Sequence, residues 1–152
     1  MTSVAIDLQC LGGAPLAFRR IVESHGLAGV SPWKRGDQGA LSVAVATSVG
    51  PRLMVLETDE PDRPGAAVTV SVVGVKPAAP PQAELEAIAR RLLGLERDLT
   101  AFHAATAGDS DLDWVPGVGA GAMARGATAF EDVVRTILTT NCNWAMTVRM
   151  CE

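Results

Sequence analysis

The stretch Phe130-Glu131-Asp132-Val133-Val134-Arg135-Thr136-Ile137-Leu138-Thr139-Thr140-Asn141-Cys142-Asn143-Trp144 decides how this chain is read. Phe130, Val133, Val134, Ile137 and Leu138 recur at helical spacing and form one apolar stripe on a helix that begins near Thr128. The stripe then meets five poor helix formers at 139–143. Carried on as a helix, it would hold Asn141 near its centre, where an amide must be paired or mark a break. A break is the better reading, because Asn141 can cap a second helix starting near Asn143. The segment therefore reads as helix, polar turn, helix. A turn whose asparagines only satisfy backbone groups stays open beside any functional role.

Upstream, the helical period continues. Leu85, Ile88, Ala89, Leu92 and Leu93 share one face and Gly94 ends the run. Asp98 can cap a further helix with Leu99 and Phe102 on its apolar side, and a glycine-rich loop follows over 116–126. Before Lys76-Pro77-Ala78-Ala79-Pro80-Pro81 the pattern changes. Three runs, 41–47, 52–57 and 67–75, read as strands separated by Val49-Gly50-Pro51 and Pro61-Asp62-Arg63-Pro64-Gly65. Such short connections favour antiparallel pairing. Pro15 opens a short helix that ends at Ser24-His25-Gly26. The expected class is α+β: an antiparallel sheet domain with one helix at 1–80, then the first helices of an all-α domain at 81–152. No internal repeat is evident.

With 48% hydrophobic and 20% charged residues, the 152-residue chain has the composition of a folded protein. It has no apolar run of membrane-spanning length, and Asp7 with no basic region argues against a signal peptide. Cys10, Cys142 and Cys151 lack the spacing of a zinc or iron–sulfur site, so no metal and no cofactor is expected; three free thiols fit a reducing cytoplasm. Residues 1–80 are net neutral, and 81–152 carry the whole net charge of −4. That balance excludes a broad basic stripe. Within 133–151, however, Arg135 and Arg149 stand without any acid.

Phe-Glu-x-x-Val-x-x-Ile-Leu, a polar turn holding an amide, and a small-residue helix together resemble the entry to the helix-hairpin-helix DNA glycosylase domain. The likeness is to the 3-methyladenine and 8-oxoguanine glycosylases. The order of parts agrees: a sheet domain, a helix like 85–93, a segment like 95–102, then the Phe-Glu helix. The resemblance implies base excision: flipping a damaged purine out of double-stranded DNA and hydrolysing its N-glycosidic bond. By that resemblance Asn141 would fill or read the gap left by the flipped base, flanked by Thr139, Thr140 and Asn143. An amide suits the task, since it offers a donor and an acceptor to the orphaned partner base. Where the 8-oxoguanine branch has an arginine, this chain has Met146, with Arg149 one turn away. No residue here matches the family's catalytic aspartate or lysine, so no catalytic residue is assigned. The likeness covers only the front of the family's length. The apolar pattern of Met146, Val148, Met150 and Cys151 runs uncapped to Glu152, and a truncated chain is the expectation.

Val115-Pro116-Gly117-Val118-Gly119 copies the hairpin whose N–H groups hold a DNA phosphate, which makes Gly117 and Gly119 a candidate phosphate loop. In the family that hairpin follows the Phe-Glu helix, and here it precedes it, so a plain loop is the expectation. Asp109, Asp111 and Asp113 start like a calcium loop, but Trp114 and Ala120 stand where glycine and glutamate are needed. His25 and His103 have no second ligand at metal spacing. Lys34 and Arg35 beside Trp33 could touch DNA, but an exposed turn is the expectation. The rival to a glycosylase is a non-catalytic DNA- or protein-binding module. Its last helix would pack on a partner or allow self-association. The place of action implied is the cytoplasm, at the nucleoid when on DNA.

Overall fold

The computed structural model describes residues 2–36, 39–74 and 78–152, with only the backbone at Gly26 and Leu27. Five strands, β1 (Ser3–Asp7), β2 (Trp33–Arg35), β3 (Leu41–Thr47), β4 (Gly50–Glu57) and β5 (Ala67–Val73), form one antiparallel sheet in the order β1-β5-β4-β3-β2. Each strand alternates, so one face collects Ile6, Leu41, Val43, Val45, Met54, Leu56, Val68, Val70 and Val72, all buried. Two helices cover that face. Helix α1 (Phe18–Glu23) supplies Phe18, Ile21 and Val22, and α2 (Gln82–Leu92) supplies Leu85, Ala89 and Leu92. The chain is α+β, as its strand and helix patterns require.

One hydrophobic cluster runs from Ile6 to Ala124 and includes residues from both sides of position 80. The apolar face of α2 packs against β1 and β5. Gly94 ends α2 in the left-handed region at φ +69°, and the N–H of Leu95 closes on the Arg90 carbonyl at 2.9 Å. Beyond it lie α3 (Thr100–Thr106) and the short α4 (Trp114–Gly117).

From Gly119 to Ala127 the chain is an irregular strap, mostly of Gly and Ala, laid along the body. Ala17 N–H donates to the Gly119 carbonyl at 3.0 Å, and Arg125 N–H donates to Leu92 at 2.8 Å. The Nε2 atoms of His103 and His25 meet the carbonyls of Ala120 and Ala124, each at 2.7 Å. Ala122 and Ala124 are buried in the core. The strap delivers the chain to α5 (Ala129–Leu138) and α6 (Trp144–Cys151), neither of which joins that cluster.

Several expectations change. β1 and β2 were not among the three expected strands. Trp33 is buried against the core in β2, paired with Val43, rather than placed in an exposed turn. Pro15 does not open a helix. It bridges to Gln9, and the chain stays extended until α1 begins at Phe18. The expected strand to residue 75 is described to Val73; Val75, Lys76 and Pro77 lie outside the described residues.

Asp98 precedes α3 and its Oδ1 accepts the Thr100 N–H at 2.9 Å. Bonds from the Thr100 hydroxyl and N–H hold its carboxyl below the usual aspartate range. A depressed folded value stabilises above the unfolded pKa, and that gain is lost as pH falls through the folded one. Thermal melts of Asp98→Ala should show a lower Tm than wild type at neutral pH. The gap should narrow as pH is taken below about 4.

Candidate nucleic-acid interface

Helix α5 starts at a reciprocal cap. Thr128 Oγ1 accepts the Glu131 N–H at 3.2 Å, while Glu131 Oε2 accepts the Ala127 N–H at 3.0 Å. Asp132 Oδ1 takes the Gly126 N–H at 2.6 Å. These bonds satisfy donors at the helix start and tie it to the strap.

Its end is written by threonines. The hydroxyls of Thr139 and Thr140 donate back to the Thr136 and Ile137 carbonyls, both at 2.7 Å. That local competition for carbonyls stops the helix. Asn141 then takes φ +56°, the only positive φ among described non-glycine residues, and asparagine tolerates it better than most. The cap of α6 is Asn143, whose Oδ1 accepts the Met146 N–H at 3.0 Å. The expected cap, Asn141, is instead the residue that turns the chain, because the break falls two positions before the new helix starts.

The four residues expected at the gap are thus adjacent but not equivalent. Thr139 and Thr140 have their hydroxyl protons directed inward, and the Asn143 oxygen is taken up as a cap. Asn141 is exposed, and its side-chain amide makes no hydrogen bond among the described residues.

Two residues that sequence reasoning passed over hold this hairpin. Thr147 is buried, and its hydroxyl donates to the Leu138 carbonyl at 3.1 Å beside Cys142 Sγ at 3.3 Å. Cys142 Sγ reaches the same carbonyl at 3.0 Å. A threonine in a helix reads as a neutral filler, so nothing in the pattern marked it. Arg135 is also buried, which leaves Arg149 as the exposed cation of the acid-free stretch. The stripe of α5 looks outward: Phe130 is 75% and Ile137 61% exposed, with Val133 also exposed. Trp144, Met146 and Met150 of α6 are exposed as well.

The other candidates lie elsewhere. Gly119 is buried, and its N–H already donates to the Pro116 carbonyl at 3.1 Å, so it has no N–H to offer a phosphate. Gly117 is exposed in the last turn of α4. Asp109 Oδ1 accepts the Asp111 N–H at 2.8 Å in the turn before α4. A cleft of about 510 Å³ is lined by Glu57, Asp59, Glu60 and Arg63 and takes no residue from α5 or α6. No cluster of three or more His, Cys, Asp or Glu at metal-binding proximity occurs among the described residues, and no described helix is long and apolar enough to cross a membrane.

No family model and no curated protein sequence matches the chain. Its fold matches a solved structure, the 3-methyladenine DNA-glycosylase from Archaeoglobus fulgidus, with a TM-score of 0.69 at 14% identity. The match covers 97% of this chain and 48% of that one, so this chain spans about half the length of the protein it resembles. The likeness is one of fold.

Proposed function

We propose that this chain carries the sheet unit and the gap-facing hairpin of a base-excision DNA glycosylase of the helix-hairpin-helix class. The hairpin would meet duplex DNA at a flipped, damaged purine. The observation that carries this reading is Asn141: an exposed amide without a hydrogen-bond partner among the described residues, held at a left-handed turn between two capped helices. Extruding a base leaves an unstacked gap and an orphaned partner base with both donors and acceptors. An amide on a rigid turn answers both kinds of group. Thr139 and Thr140, fixed by their backward bonds, form its shoulder, and Arg149 supplies positive charge nearby on α6. Hydrolysis of the N-glycosidic bond is assigned to no residue of this chain.

The test compares binding of the full chain to a duplex holding one abasic-site analogue with binding to the intact duplex, at fixed low salt. Wild type is expected to prefer the gapped duplex. Asn141→Ala should reduce that preference about tenfold, the loss of roughly one bidentate contact. Equal affinity for both duplexes in wild type overturns the reading. The outward apolar stripe of α5 favours a second reading, a non-catalytic binding module. Such a module would bind with no sensitivity to the gap.

A further inference from the structure

Among the described residues one charged side chain is buried, Arg135, at 4% exposure, and it is the only buried residue of α5. It enters a narrow crevice shared with His25, Ala28, Trp33, Gly126 and Asp132. Trp33 belongs to β2, and Ala28 to the 3-10 turn Gly26–Gly29, so this crevice is cut into the sheet unit. Its free volume is about 10 Å³. Arg135 Nη2 is buried there without a hydrogen-bond partner among the described residues. Asp132 lines the same crevice one turn earlier, with its Oδ1 on the Gly126 N–H.

Stability does not explain this residue. A guanidinium cannot shed its charge, and burying one without a close carboxylate is costly. An apolar side chain of similar length would fill the crevice at lower cost. What the arginine adds is a rigid planar fork, which fits in few orientations. The outward stripe of α5 gives the helix no apolar anchor on the sheet unit, so its seat is polar: Arg135 in the crevice, Asp132 and Glu131 on the strap. The backbone of that anchor also meets the turn, since the Arg135 carbonyl accepts the Thr139 N–H at 3.1 Å.

We propose that Arg135 is a positioning residue that fixes the seat of the α5–α6 hairpin on the sheet unit, and through it the placement of the 139–143 turn. Its consequence for DNA rests on the function proposed above; its structural part does not.

Arg135→Met and Arg135→Lys, with melting and hydrogen–deuterium exchange, test the two parts separately. Arg135→Met is expected to melt at or above the wild-type Tm. Its amides at 124–127 and 139–143 should exchange faster while those of β3 to β5 are unchanged. Its preference for the gapped duplex should fall about fivefold or more, and Arg135→Lys should recover part of both effects. A hairpin whose exchange is unchanged in Arg135→Met overturns the proposal. So does a lower Tm with faster exchange across the whole sheet, or failure of Arg135→Met to fold, because each makes Arg135 a residue of general stability. If wild type shows no preference for the gapped duplex, the proposed function fails, and the exchange pattern alone decides the role of Arg135.

Discussion

Gly119→Ala is expected to remove about 3 kcal/mol or more of stability and leave much of the protein unfolded. Gly119 sits at φ +64°, where an added Cβ strains the backbone of any L residue. The space is closed as well. That Cβ would lie 2.7 Å from the Ala17 nitrogen and 3.0 Å from the Leu16 carbonyl carbon, both backbone atoms. Neither can turn aside as a side-chain tip would. Relief requires the strap to lift, and lifting it breaks the bond from Ala17 N–H to the Gly119 carbonyl. Gly117, two residues away in the same Pro-Gly-Val-Gly motif, meets nothing within 4 Å. Gly117→Ala should therefore change stability by less than about 1 kcal/mol. Urea unfolding of the two variants checks this. Equal costs would show that the motif is not seated on the Leu16–Ala17 backbone.

That contrast marks where sequence stops being informative. Both glycines read alike as a loop motif, because the reason one is needed is a contact with residues a hundred positions earlier. Local signals fared better. The alternation of Leu41, Val43 and Val45 located β3 at its observed bounds, and the stripe from Phe130 placed the start of α5 near Thr128, its observed cap. β1 carries the same alternation in Val4 and Ile6 over only five residues. β2 is three residues long, too short for any periodicity, and Trp33 looked like part of a charged turn beside Lys34 and Arg35. In the candidate site the break at 139–143 was legible from helix propensity, but the roles within it were not. Which asparagine turns the chain and which caps the helix depends on backbone angles that composition does not encode. Arg135 was the hardest case. A cation opposite an apolar stripe reads as solvent-facing, and here the stripe faces solvent while the cation is buried.

Phe18→Ala, by the same logic, should cost about 3–5 kcal/mol, a large part of the roughly 5–15 kcal/mol that holds a domain of this kind together. Phe18 is 2% exposed and is among the largest fully buried side chains, where α1 closes over the sheet. Removing its ring leaves a cavity that the close-packed core around it can fill only in part. Ile137→Ser is the counterpart. Ile137 is just as apolar but 61% exposed on α5, outside the core cluster. Its replacement should change stability by no more than about 0.5 kcal/mol. Together the two variants test whether folding free energy resides in the sheet unit while the candidate site rides on a hairpin that contributes little. A loss above about 2 kcal/mol for Ile137→Ser would contradict that division, since an exposed isoleucine has no such burial to lose. It would mean that the α5 stripe is covered in solution. A Tm that rises with protein concentration would then identify the cover as a second copy of the chain.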